Sequence, residues 1–153
     1  NNRDSLMGHK LLLIGDGECY ESIQKLIKKL DLNDCIELVG RVNDADKLSK
    51  YYKKALVSLS YGQAGLSVLQ SLGNGVPFIT THNAISGGEI CNIRDGINGY
   101  LVDDNIESFY EYVHLLIQNK DIAQKLRVNA LNHYNQNASI ENMVSAFVEV
   151  INE

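Results

Sequence analysis

The stretch that most constrains this chain is residues 61–80, YGQAGLSVLQSLGNGVPFIT, where a glycine-bearing loop opens a short helix that stops at a second glycine group and turns into a strand. A loop, helix and strand in that order belong to an α/β layer, with the helix packed on a sheet and the loop at its rim. Leu66, Leu69 and Leu72 recur at helical spacing and predict the inward face. Gly73, Asn74 and Gly75 predict the helix end ahead of Pro77. Gly65 permits close backbone approach, and the first N–H groups of the turn near Leu66 have no partner inside the helix, so the start of this unit suits an anion such as a diphosphate. Any buried helix between two strands also needs a polar start and a glycine stop, and the loop alone reads as well that way.

The rest of the chain repeats the alternation. Residues 10–14 (KLLLI) are a continuous apolar run ending at Gly15, Asp16 and Gly17, which predicts a buried parallel strand and a tight turn. Ile23, Leu26, Ile27 and Leu30 predict a helix, and residues 36–39 (IELV) a second strand closed by Gly40. Leu48, Tyr51 and Tyr52 lie on a helix that Asn43 or Asp44 can cap, and residues 55–60 (ALVSLS) predict the third strand. Residues 77–80 predict the fourth strand. A loop with Ser86, Gly87 and Gly88, a short helix near 89–93 and turns at Asp95-Gly96 and Asn98-Gly99 lead to a brief strand at 100–102. From Asp104 the period is helical only, through Ile106, Phe109, Val113 and Leu116, then Ile122, Leu126 and Ala130, then Ile140, Val144, Phe147 and Ile151, with Ser139 as the start of the last helix. Right-handed crossovers then require a Rossmann-like parallel sheet with helices on both faces, followed by a helical C-terminal segment. The loops at Gly15, Gly40, 62–65 and 86–88 all fall on the rim at the carboxyl ends of the strands, where such sheets bind ligands.

Composition narrows the function classes. A chain of 153 residues is one domain's worth. A net charge of -5 with Lys interspersed among Asp and Glu argues against a nucleic-acid surface. No apolar run reaches membrane-spanning length and residues 1–7 show no signal pattern, so the expected location is cytoplasmic. Cys19, Cys35 and Cys91 lack metal or disulfide spacing, which predicts free, partly buried thiols and no metal. Gly15-Asp16-Gly17 invites a dinucleotide reading, but the third glycine of that fingerprint would fall at Tyr20, and no cofactor is expected. Of the four histidines only His82 sits near the rim. Glu89, the one carboxylate in the 86–88 loop, fits a cap better than chemistry. Tyr61 is placed to stack on a base, whereas Tyr51 and Tyr52 fit packing beside the sheet.

LLLIGDGE at 11–18, IELVGRV at 36–42, AGLSVLQSLGNGVPFIT at 64–80 and GGEICNIRDGINGYLV at 87–102 stand in the order and spacing of one family's blocks. Together they resemble the C-terminal, donor-binding domain of a GT-B-type retaining glycosyltransferase of family 4, the glycosyl transferases group 1. The last block lacks the family's proline, while D-G-x-N-G-x-L-V is present from Asp95 to Val102. The resemblance implies that residues 1–153 are a nucleotide-sugar-binding domain from a longer two-domain protein, whose missing N-terminal domain carries most of the acceptor site. It implies a UDP- or GDP-linked sugar as donor, transfer with retention to a glycan, lipid or protein acceptor such as a growing capsular polysaccharide, and peripheral contact with the inner membrane through the missing domain. By position, the substrate-binding residues would be Gly15, Asp16, Gly17, Arg41, Val42, Gly62, Gln63, Ala64, Gly65, Leu66, Ser67 and Gln70. Arg41 and Val42 would border the base, and the N–H groups from Ala64 to Ser67 would hold the diphosphate.

Two departures qualify the resemblance. The family's paired glutamates across this helix fall at Gly62 and Gln70, which removes the carboxylate near the donor sugar and leaves an amide for the ribose. The charge-assisted part of that ribose bond is worth ~1 kcal/mol. The family's first, central strand, with its diphosphate-clamping Arg and Lys, also has no counterpart in residues 1–7 (NNRDSLM), so the sheet is expected to lack it. Self-association or altered strand pairing is the expected response to the gap. A degenerate, non-catalytic transferase-like binding or assembly module is the competing reading, and a nucleotide-sugar epimerase is a third. The fragment alone is expected to be inactive.

Overall fold

The structure, a computed structural model, describes residues 8–152. The expectation drawn from residues 1–7 lies outside the described residues. The chain forms two compact units that meet in sequence between Lys50 and Tyr51, inside α2 (Ala45–Lys54). Strand pairing is parallel throughout, in two hydrogen-bonded sheets of order β1-β2 and β3-β4-β5 rather than one continuous ladder.

The first unit holds β1 (Leu11–Ile14), α1 (Tyr20–Lys29) and β2 (Ile36–Gly40). β1 and β2 pair in parallel from Leu11 opposite Ile36, and a bulge between Leu13 and Ile14 brings Ile14 opposite Gly40. α1 carries Glu21 in its first turn and Lys28 and Lys29 in its last, charges that complement the helix dipole. Asp44 accepts from the Lys47 N–H at 2.8 Å and caps α2, resolving the choice between Asn43 and Asp44. One expectation needs correcting. β1 is not a buried strand, since Leu11 and Ile14 are exposed: among the described residues it pairs with β2 alone. α1 forms where the spacing predicts a helix, with Ile27 buried and Leu26 half exposed.

The second unit carries the main core. β3 (Ser58–Ser60), β4 (Phe78–Thr81) and β5 (Gly99–Val102) run in parallel with β4 in the middle, and every β4 residue is buried. Neighbouring strand residues point to opposite faces. Phe78 accordingly joins Ala64, Val68, Leu72, Ile93 and Ala130 in one core, and Ile79 joins Tyr100, Val102, Leu116, Ala123 and Leu126 in another. α3 (Ser67–Gly73) supplies the first core and α4 (Ile106–Gln118) the second, while α5 (Lys120–His133) reaches both. Asn105 and Asn119 cap α4 and α5 through their side chains. A π turn (Tyr134–Ala138) joins α5 to α6 (Ile140–Asn152), where Ser139 Oγ accepts from the Asn142 N–H.

The inward face of α3 differs from expectation. Val68, Ser71 and Leu72 are buried, Leu69 is partly covered, and Leu66 is 70% exposed. Leu66 is the residue before the first helical turn, so the three-residue spacing that assigned it inward does not apply there. The buried Ser71 is satisfied: its hydroxyl lies 2.7 Å from Ser58 Oγ and 2.8 Å from the Val76 carbonyl. Among the described residues no helix is long and apolar enough to cross a membrane.

Candidate functional site

Where β3 ends, the chain turns through Tyr61 and Gly62 into the loop ahead of α3. This loop is stitched to the segment after β4. The Ala64 N–H donates to the Ile85 carbonyl at 2.9 Å, the Ile85 N–H donates to the Gly62 carbonyl at 3.0 Å, and Gln63 faces Ile85 in a parallel bridge. The Gly65 and Leu66 carbonyls accept from Val68 and Gln70. Their own N–H groups, with that of Ser67, have no acceptor among the described residues. The expected set of N–H donors is thereby corrected: Ala64, fully buried and bonded to Ile85, is not available, and the open donors are Gly65, Leu66 and Ser67. A Cβ at Gly65 would meet no atom within 4 Å, so the fold itself does not demand glycine there. Gly62 is different, since its φ of +76° lies in the region that L side chains rarely adopt. Gln70 is exposed on α3, and His82 is exposed after β4 with its N–H on the Val102 carbonyl.

The next rim loop is fixed by Glu89. Its carboxylate accepts from the Gly87 N–H at 3.0 Å and the Ser86 hydroxyl at 3.2 Å, and Ser86 Oγ accepts from the Gly88 and Ile90 N–H groups at 3.1 Å. The Glu89 carboxyl is held below the ordinary range chiefly by its own backbone N–H, which outweighs the opposing desolvation, with Ser86 and then Gly87 adding to the effect. Its work is to hold the 86–88 loop. A 3-10 turn (Glu89–Asn92) follows, and the fully buried Asn98 ties it to the next strand, donating to the Asn92 carbonyl at 2.9 Å and accepting from the Arg94 N–H at 2.7 Å. Asp95 accepts from the Leu101 N–H at 3.0 Å. The sequence showed these positions as turns. The side-chain roles of Asn98 and Asp95 were missed, and the signal was an Asn set among closely spaced glycines.

Tyr61 is half exposed, with its ring edge-on to Phe109 at 5.6 Å. A hydrogen bond to Asp104, then desolvation and the charges of Asp104 and Glu107, raise its hydroxyl pKa. It is anchored to the start of α4 rather than free above the loop.

The other expected residues belong to the first unit. There the Arg41 guanidinium meets the Asp16 carboxylate at 2.8 Å, both side chains largely in solvent, a pair worth well under ~1 kcal/mol. The Gly15 N–H donates to the Gly40 carbonyl at 2.9 Å, and Val42 is partly buried. A mostly apolar cleft of 280 Å³ lies along Leu13, Ile14, Gly15, Gly17, Cys19, Tyr20, Ile23 and Leu38. Cys19 and Cys91 are free and exposed, more so than expected, and Cys35 is free and partly buried.

Against this geometry, a model of the family Glycosyl transferases group 1 matches residues 4–133. The chain belongs to this family. Among curated relatives it is 30% identical over 148 residues to the poly(glycerol-phosphate) alpha-glucosyltransferase of Bacillus subtilis, an alignment covering 93% of this chain and 21% of the relative. Among solved structures it superposes on S. aureus TarM in complex with fondaparinux, alpha-GlcNAc-glycerol and UDP with a TM-score of 0.79, at 21% identity over 94% of this chain and 29% of that one. It also superposes on sucrose-phosphate synthase from Thermosynechococcus elongatus with a TM-score of 0.78, at 20% identity over 94% of this chain and 38% of that one. The chain spans from 21% to 35% of the length of the curated relatives it matches. The family and its Rossmann-like GT-B fold are thus those of glycosyltransferases.

Proposed function

We propose that this chain is the donor-binding half of a retaining glycosyltransferase that moves a sugar from a nucleoside diphosphate to a glycan, lipid or protein acceptor. The observation that carries the reading is the loop before α3, where Gly65, Leu66 and Ser67 present open N–H groups from a backbone fixed by the Ile85 bridge. Donors held in place before the ligand arrives stabilise charge that builds on a departing diphosphate, each commonly by ~3 kcal/mol. UDP is the favoured nucleotide, because the TarM structure holds it. Gln70, exposed on α3, faces the ribose in this reading. An N-terminal domain supplied by the parent protein completes the acceptor site.

One observation favours the second reading, a non-catalytic transferase-like module. At the family's carboxylate position stands not merely another residue but a glycine with left-handed backbone. Titration of the full chain with UDP, GDP and ADP, followed by NMR shifts, separates the two. Saturable UDP binding that Gly65→Val abolishes without lowering Tm supports the donor site. A folded chain that binds none of the three nucleotides sinks it.

A further inference from the structure

His133, at the end of α5, is 8% exposed and takes no part in the site proposed above. Its ring lies between two amides, with Nε2 3.3 Å from Asn92 Oδ1 and Nδ1 3.4 Å from Asn137 Nδ2. Both amides are oriented by other bonds. Asn92 Nδ2 donates to the Glu89 carbonyl at 3.3 Å, and Asn137 Nδ2 donates to the His133 carbonyl at 3.1 Å. An amide oxygen at Nε2 calls for a donor, and an amide nitrogen at Nδ1 calls for an acceptor. The surroundings therefore specify one species, the neutral ring with its proton on Nε2. Burial, and then the charge of Arg94 on the turn after Asn92, lower the ring's pKa and favour the same neutral form.

From this ring a line of polar contacts runs to the rim. Asn92 Oδ1 accepts from the His133 Nε2–H and Asn92 Nδ2 donates to the Glu89 carbonyl, the Glu89 carboxylate accepts from Gly87 and Ser86, and Ile85 pairs with the loop ahead of α3. His133 and Asn92 are 41 residues apart in sequence, so the contact ties the turn to α5 rather than to its own neighbours. We infer that His133 is a positioning residue: as a neutral Nε2–H donor to Asn92 it sets the 3-10 turn and, through Glu89, the 86–88 loop beside the open N–H groups. Its consequence for ligand binding rests on the donor-site reading; its hold on the loop does not.

The test compares the full chain with His133→Leu, which fills similar space without a donor, and His133→Gln, whose amide can donate to Asn92. Amide hydrogen exchange is read at Gly87, Gly88 and Ile90, with β4 and α4 as internal references. His133→Leu is expected to speed exchange at the three loop amides about tenfold and leave the references unchanged, and His133→Gln to stay within about threefold of the native chain. No change in His133→Leu, or an equal acceleration across α4, β4 and the loop, overturns the inference. Should His133→Leu fail to fold, Asn92→Ala removes the same link from its partly exposed side and is read in the same way. A UDP titration runs alongside. If the native chain binds no nucleotide, the donor-site reading falls and the exchange pattern still decides the role of His133. If the native chain binds UDP, His133→Leu is expected to weaken it about tenfold, and unchanged affinity with unchanged loop exchange overturns the role.

Discussion

At the scale of single residues, Gly62 and Ser71 do opposite things. Gly62 has no side chain, and its φ of +76° costs an L residue about 1–2 kcal/mol. Replacing Gly62 with Glu should therefore lower stability by about that amount, read as a lower urea midpoint with an unchanged slope. An unchanged midpoint would show that the loop relaxes to accept a side chain. Ser71, by contrast, is wholly buried and bonds both Ser58 and the Val76 carbonyl. Ser71→Ala leaves those partners with an unmet bond in the interior and should cost about 1–3 kcal/mol in the same assay. An effect within experimental error would mean that solvent reaches the site and replaces the hydroxyl.

At the scale of elements, the same substitution has contrasting outcomes at two glycines. A Cβ at Gly99 would fall on the Phe78 carbonyl across the β4–β5 ladder, whereas one at Gly65 meets open space. Gly99→Ala should thus lose about 3 kcal/mol by forcing the two strands apart, and Gly65→Ala should stay within about 0.5 kcal/mol of the native chain. Thermal unfolding of the two variants checks both; equal Tm values would show that the strands are not in close register there. This contrast also marks what the sequence could reveal. The elements themselves were legible, because period and punctuation are local: KLLLI, IELV and the helical runs after Asp104 all became the predicted type. Facing was less so. A helix that begins one residue after Leu66 leaves that side chain outside, and an apolar strand such as β1 buries itself only as far as it has neighbours. The candidate loop could be placed by Gly65, but the Ile85 pairing that takes Ala64 out of the donor set joins residues distant in sequence. His133 and Asn92 carry no local pattern at all.

At the scale of the whole molecule, stability is unevenly spread and responds to acid in two steps. Among the described residues of the first unit only Ile27 is buried, while both core clusters belong to the second. Amides of β1 and β2 should then exchange faster than those of β4, and equal protection would show the units opening together. The acid response follows from three shifted groups. His133 has a folded pKa below its ordinary 6.5, so above 6.5 the ring is neutral in both states and contributes nothing. As pH falls below 6.5 the unfolded chain takes up the proton first, and stability declines until pH passes the lowered folded value. Glu89 and Glu141 also have folded pKa values below their ordinary 4.5, each held down first by its own backbone N–H, so their contribution is present above 4.5 and is lost as pH falls through the lowered folded values. The Tm of the second unit should hence begin to fall near pH 6.5, before either carboxylate titrates, and fall again below pH 4.5. His133→Gln cannot take up that proton and should flatten the first decline while leaving the second. Calorimetry across this range decides the matter: a first decline that survives in His133→Gln belongs to another group, and a flat native profile down to pH 4.5 would mean that the ring is protonated within the fold without cost.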